Sequence, residues 1–198
     1  MGFSRRAPSR RRSIRSFDSV IDRAKAGDHD AVTDLYLDHV AMVHGYLRAC
    51  GISDPDDVTS EVFAGMLRGL DRFEGGRPEF RRWLMTIAHR RRVDQQRRWA
   101  TNRIDLTEPR TLEDAGSGGL AADLDARTID PDLVAGFSEL TGAQREVLAL
   151  RFVADLSLEE VSEVTDRPVG AVKSLQSRGL AALRKRVPDP STWQGATP

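Results

Sequence analysis

The sequence predicts an all-α protein: two small helical domains joined by a flexible acidic linker, the second containing a helix-turn-helix. Three observations lead there. Apolar residues recur at i, i+3, i+4 spacing through two separate blocks of the chain. A polar, glycine-bearing stretch without periodicity divides the blocks. Aromatic residues make up only 6 % of the sequence and no alternating strand pattern shows. A length of 198 residues suits one domain or two small ones, and 39 % apolar residues suffice for a core.

The elements follow in order. Residues 1–16 (MGFSRRAPSRRRSIRS) carry six arginines and no acid, and read as a disordered basic tail. Helical periodicity begins near Phe17, runs to Lys25 and ends at Gly27. A second helix spans about Asp30 to Ala49. Its apolar stripe is Val32, Leu35, Tyr36, Val40, Val43 and Leu47, and Gly51 stops it. A third opens on Ser53-Asp54-Pro55, where Asp54 caps and Pro55 suits the first helical position. Val58, Val62, Met66 and Leu70 form its buried row. Glu74-Gly75-Gly76 breaks the chain. A fourth helix runs from near Pro78 to about Trp99, with Phe80, Trp83, Leu84 and Ile87 inward and arginines over much of the rest.

Periodicity is lost over 103–131 and returns at Asp130-Pro131. Leu133, Val134, Phe137 and Leu140 make a short amphipathic helix. Thr141-x-x-Gln144 and Ser157-x-x-Glu160 are capping boxes for the next two helices. The turn Thr165-Asp166-Arg167 leads into a last helix from Pro168 to about Arg186. The chain thus divides into a basic tail (1–16), a first helical domain (17–100), an acidic linker (101–130), a helix-turn-helix domain (131–187) and a second tail (188–198).

The formal net charge is zero, but the charge is segregated. Residues 81–103 carry eight arginines against Asp94 alone, and residues 104–132 carry eight acids against Arg110 and Arg127. Opposite blocks imply different partners for different segments. The acidic linker can also screen the basic helices, so the isolated chain is expected to bind duplex DNA weakly. Cys50 is the only cysteine, which excludes an internal disulfide and a cysteine-built zinc site, and it reads as a small buried residue near a helix end. No apolar run reaches the ~20 residues a bilayer requires. The basic N-terminus has no apolar segment behind it, so no secretory signal or membrane insertion is expected, and a cytoplasmic protein fits.

In the last helix, Val172, Leu175, Gly179 and Leu183 fall on one packing stripe. Lys173, Ser174, Ser177 and Arg178 lie on another side that could enter a major groove. The alternative is an ordinary helical hairpin with a solvated charged face. In the fourth helix, Asp94 stands three and four residues before Arg97 and Arg98, and four and three after Arg90 and Arg91. The carboxylate could orient these arginines toward phosphates, or the group could be simple intrahelical ion pairing. His89, on the same helix, reads as an unpaired surface histidine.

Three stretches resemble one family. Residues 140–187, LTGAQREVLALRFVADLSLEEVSEVTDRPVGAVKSLQSRGLAALRKRV, resemble the second conserved domain of bacterial RNA polymerase sigma factors of the extracytoplasmic-function (ECF) group, within the sigma-70 family. The shared pattern is Q-R-E-V-L, then L-S-x-E-E-[IV], then P-V-G-[TA]-V-[KR]-S. Residues 54–73, DPDDVTSEVFAGMLRGLDRF, resemble the helix that grips the polymerase clamp. Residues 80–99, FRRWLMTIAHRRRVDQQRRW, resemble W-L-x-x-I-A-x-N-x-x-x-D-x-x-R-R, the helix that opens the minus-ten element.

The resemblance implies a sigma factor that binds core RNA polymerase through the beta and beta-prime subunits and opens promoter DNA, without enzymatic activity, metal or cofactor. By matching position, Asp57, Glu61 and Phe63 would bind polymerase. Phe73, Trp83, Arg90, Arg91, Asp94, Arg97 and Arg98 would serve the minus-ten element, with Phe73 in a pocket wall. Lys173, Ser174, Ser177 and Arg178 would face the minus-thirty-five element. An anti-sigma protein is the further partner implied. The sequence departs from the family at Ser60 (usually Gln), Arg90 (usually Asn), Leu175 and Gln176. Two rivals are a helix-turn-helix regulator acting without core polymerase, and a metal nuclease using Asp94, Glu61 and His89. The first domain argues against the former. The arginines around a lone acid argue against the latter, since metal nucleases need convergent carboxylates.

Overall fold

The computed structural model describes residues 16–104 and 131–186. The expected tails at 1–16 (Ser16 apart) and 188–198, most of the linker and the Asp130 cap lie outside these residues. Every described element is helical. In the first half these are α1 (Phe17–Lys25), α2 (His29–Ala49), α3 (Pro55–Gly69), a single 3-10 turn (Leu70–Arg72) and α4 (Arg77–Ile104). In the second half they are α5 (Pro131–Ser138), α6 (Gly142–Phe152), α7 (Leu158–Thr165) and α8 (Val169–Arg186). α4 therefore runs on to Ile104, into the stretch assigned to the linker.

The ends of the helices are where local chemistry puts them. Ser16 caps α1, and Asp28 caps α2 by accepting from the amides of Asp30 and Ala31. Arg23 of α1 also donates to Asp28 at 2.8 Å, tying the first two helices at their junction. Asp54 accepts from the Asp57 amide at 3.2 Å, and Pro55 stands in the first turn of α3. Both capping boxes close: Thr141 with Gln144, and Ser157 with Glu160. Each satisfies two backbone donors that the helix itself leaves unpaired. Asp166 ends α7 in the left-handed conformation (φ 52°), the geometry of the turn between α7 and α8.

The first half packs α1–α4 around Leu35, Val43, Leu47, Val58, Val62, Met66, Phe80 and Leu84, all essentially inaccessible. An aromatic group lies where α1, the 3-10 turn and α4 meet: Phe73 stacks on Trp83 at 5.1 Å, and Phe80 meets Phe17, Phe73 and Trp83 edge-on. Gly69 is required beneath it, because a Cβ there would come within 2.9 Å of the Trp83 ring. The second half packs α6, α7 and α8 around Val147, Leu150, Leu156, Val161, Val164 and Val172. A smaller cluster of Leu140, Leu148 and Leu183 sits beside it, with Phe137 against both.

The two halves do not stand apart. Their buried apolar residues form one continuous cluster. α6 lies against α2 and α7 against α4.

Candidate partner and nucleic-acid interfaces

Three exposed faces and one buried polar seam carry the functional groups. On α8, the turn at 165–168 and the apolar row Val172, Gly179 and Leu183 fix which side faces out. Gly179 lies against Leu148, whose Cδ1 would stand 3.0 Å from an added Cβ. Lys173, Ser177 and Arg178 are exposed on the opposite side, with Ser174 partly so. The Arg178 guanidinium donates to Ser174 Oγ at 2.7 and 3.2 Å, which holds it along the helix surface. Gln176 does not join this group. Its side chain accepts from Arg151 of α6 at 3.2 Å, and Arg151 also donates to the Leu156 carbonyl. The departure at 176 thus serves helix-to-helix contact. α8 carries no acidic residue.

On α4 the arginines separate by direction. Arg90, Arg97 and Arg98 are exposed, as is Trp99 at 54 %. Arg91 reaches across to Glu61 of α3 at 3.6 Å. Asp94 is exposed and makes no ion pair among the described residues. The expectation that it organises four arginines is therefore corrected. Exposed pairs on a helix gain little over solvation, and Arg91 has a carboxylate on the neighbouring helix instead. Phe73 and Trp83 sit in the aromatic group under α1, with Phe73 only 7 % exposed, and the Lys25 ammonium donates to the Phe73 carbonyl at 2.6 Å. A pocket wall for an extruded base is not formed by Phe73, because its ring is already stacked.

The α2–α3 face is acidic and apolar. Asp57 is exposed and Glu61 partly so, but Phe63 is 6 % exposed and packs against Tyr36 at 4.7 Å. The exposed apolar side chains here are Tyr36, Leu37 and Leu67. Phe63 therefore supports this face from below instead of touching a partner. Tyr36, on the apolar stripe of α2, is thus 41 % exposed and not a core residue.

Between the halves runs a buried polar seam that no periodicity within a single helix reveals. Glu146 of α6 is 1 % exposed. Its Oε1 accepts from His89 Nδ1 at 2.7 Å, from Arg92 at 2.5 Å and from the Tyr46 hydroxyl at 3.4 Å. Its Oε2 accepts from Arg167 at 2.9 Å. Burial alone would push this carboxyl up, but the hydrogen bond from His89 and the charges of Arg92, His89 and Arg167 outweigh it and hold it at about 2. Burial raises the Tyr46 hydroxyl well above its ordinary value and pushes the Cys50 thiol up to about 12. The unpaired surface histidine expected at 89 is thus a seam residue. At the rim, Arg81 pairs with Asp155 and Arg82 with Glu163, both at 2.9 Å. Arg145 is also buried, and its Nε has no partner, like Nε of Arg92.

The residues of the rival metal-nuclease reading go to different places: Glu61 to Arg91, His89 to Glu146, and Asp94 to solvent. No cluster of three metal-ligating side chains occurs among the described residues. No described helix is long and apolar enough to cross a membrane.

Comparison with known proteins places this arrangement. The family described as Sigma-70 region 2 matches residues 35–102, and Sigma-70, region 4 matches residues 136–185. The ECF RNA polymerase sigma factor SigD of Mycobacterium tuberculosis is 31 % identical over 192 residues, covering 91 % of this chain and 88 % of SigD. BldN of Streptomyces coelicolor, also an ECF sigma factor, is 30 % identical over 173 residues, covering 86 % of this chain and 65 % of BldN. Among solved structures, CnrH in complex with the cytosolic domain of CnrY matches with a TM-score of 0.59 at 25 % identity, covering 86 % of this chain and 96 % of CnrH. RpoE of Bartonella quintana, solved with the anti-sigma factor NepR, matches with a TM-score of 0.61 at 19 % identity, covering 78 % and 95 %, a likeness of fold. The chain belongs to the sigma-70 family as an ECF RNA polymerase sigma factor. Such a protein works with core RNA polymerase in promoter recognition.

Proposed function

We propose that the three exposed faces divide the work of initiation. The α2–α3 face binds core RNA polymerase at its beta and beta-prime subunits, with Asp57 and Glu61 giving the charge and Tyr36, Leu37 and Leu67 the apolar contact. The outer end of α4 holds the opened minus-ten strand. There Arg90, Arg97 and Arg98 neutralise phosphates, and Trp99 offers a ring on which a base can stack. The exposed row of α8, Lys173, Ser174, Ser177 and Arg178, reads the minus-thirty-five duplex, with phosphate contacts positioning it and Arg178 donating to a base edge. One observation carries this reading: two exposed basic faces lie on separate helices, and one of them ends in an exposed tryptophan.

Binding energy alone drives opening, so the reading assigns no catalytic group and no cofactor, and the chain acts in the cytoplasm. An anti-sigma protein is the further partner we assign, CnrH having been solved with the cytosolic domain of CnrY. The regulator acting without polymerase is disfavoured, because it gives the α2–α3 face nothing to do.

The test is run-off transcription with purified core polymerase, on duplex and on pre-melted promoter. Arg97→Ala with Arg98→Ala should impair transcription from duplex and recover on the pre-melted bubble. Arg178→Ala should cost ~1–3 kcal/mol of duplex recruitment and should not recover. Equal rescue of both, or of neither, refutes the division.

A further inference from the structure

We propose that the arginines ahead of α1 are a further nucleic-acid contact: they bind the phosphate backbone of the duplex that flanks the opened minus-ten segment, approaching it from the end of α4 opposite Trp99. The inference rests on the function proposed above, which leaves these arginines without a task.

Composition narrows the partner. Residues 1–15 hold six arginines, no lysine and no acid. An arginine presents a planar fork of donors that matches a phosphate, and it is less strongly hydrated than a lysine. After Met1, Phe3 and Ile14 are the only bulky apolar residues. Two such side chains give no apolar face with which to enter a bilayer. A line of phosphates is the chemistry that remains, and promoter DNA is where the chain works.

The fold fixes where this segment begins. Ser16 is exposed and caps α1. The Phe17 ring meets Phe80 of α4 edge-on at 5.4 Å, and the Arg77 guanidinium lies over the same ring at 5.2 Å. The segment therefore joins the fold at the first turn of α4. The groups assigned to the opened strand lie further along that helix. At ~1.5 Å per residue, Arg90 stands roughly 20 Å from Arg77 and Trp99 roughly 33 Å. Fifteen residues reach up to ~50 Å at ~3.3 Å each. That exceeds one turn of duplex, ~34 Å, so the arginines reach DNA beyond the strand that α4 holds.

The described surface at this point does not absorb the charge. Exposed Asp18, Asp71, Glu74 and Glu79 are interleaved with exposed Arg72 and Arg77. Glu79 is moreover turned back to accept from the Gly76 amide at 2.9 Å. Six guanidiniums call for a continuous run of anions, and duplex DNA carries one per ~1.7 Å of its axis.

The test follows the promoter complex of the full chain with core polymerase across a salt series. Arg5, Arg6, Arg10, Arg11, Arg12 and Arg15 are changed together, to Gln in one variant and to Lys in another. Ser16 and Phe17 stay, so α1 keeps its cap and its packing. In the Gln variant the fall of log affinity with log salt should become shallower by about 2 or more, each lost phosphate contact removing ~0.9, and the dissociation constant at physiological salt should rise roughly tenfold or more. The Lys variant should keep most of the parental slope, because it keeps the charge. The loss should be the same on promoters with scrambled flanks, since phosphate contacts carry no sequence information. The proposal is overturned if the Gln variant keeps the parental slope, or if the Lys variant loses as much as the Gln variant. It is overturned equally if the loss appears undiminished in binding to core polymerase without DNA, which would make polymerase the partner. Retention on phosphatidylglycerol vesicles with an unchanged promoter slope would assign the segment to a membrane instead. If the parent chain forms no promoter complex with core polymerase, the proposed function fails, and this inference with it.

Discussion

Two carboxylates stand among arginines on different sides of α4, and they meet opposite fates. Asp94 has Arg90, Arg91, Arg97 and Arg98 within one turn in sequence, yet it is exposed and unpaired among the described residues. Glu146 has only Arg145 within one turn along the chain, which is not among its hydrogen-bond partners, yet it is buried with four donors, three of them from 54 to 100 residues away. Proximity in sequence supplies opportunity only. A helical pair in water gains a few tenths of a kcal/mol, whereas a carboxylate taken out of water must be fully partnered or it will not be there. Desolvation decides which acid is organised.

The comparison can be broken most directly at Glu146. Glu146→Ala strands Arg92, His89 and Arg167 around a vacated site, and should cost ~3–5 kcal/mol in chemical denaturation. A loss under ~1 kcal/mol would mean that the seam contributes no more than a surface pair. The next effect is on acid stability. The Glu146 carboxyl titrates near 2 when folded, below its ordinary 4.5, so the unfolded chain takes up the proton first as pH falls. Its contribution is full above about 4.5 and drains as pH falls through 2. Denaturation midpoints followed across that window should fall for the parent chain and flatten for Glu146→Gln.

At the rim the effect should be smaller. Glu163 and Arg82 are 61 % and 38 % exposed, so Glu163→Ala should cost at most ~1 kcal/mol and less in high salt. The smallest effect belongs to the other carboxylate: Asp94→Asn should shift stability by less than ~0.5 kcal/mol. A larger loss would show that Asp94 is engaged after all.

What the sequence made legible was local. Asp54, the Thr141–Gln144 box and the Ser157–Glu160 box are recognisable because a cap and its amide lie within three residues of each other. The apolar rows of α3 and α8 are legible because helical periodicity repeats within one element. The α8 face could be drawn for the same reason: once Val172 and Leu183 turn inward, Lys173 and Arg178 must turn out. The seam could not be read this way. Tyr46, His89, Arg92 and Glu146 each look unremarkable in their own helix, and only the docking of α6 on α2 and of α7 on α4 brings them together. Phe63 failed for a related reason: an aromatic in an amphipathic helix fits a core or a partner equally well, and its burial under Tyr36 is settled between helices. Trp99 carried a weak signal as a large aromatic closing an arginine run.

Cys50 sits at the C-terminal end of α2, 4 % exposed, within the electrostatic reach of Arg92, Arg145 and Glu146. With its thiol pushed up to about 12 by burial, it stays protonated at neutral pH, and the thiolate is the reactive form. In the folded chain it is therefore poorly reactive toward oxidants and alkylating reagents. Two of the three charged groups that reach this thiol, Arg145 and Glu146, belong to the second half. Opening of the fold around it would hydrate the sulfur and return it toward ordinary reactivity, so the rate at which this thiol is alkylated times that opening.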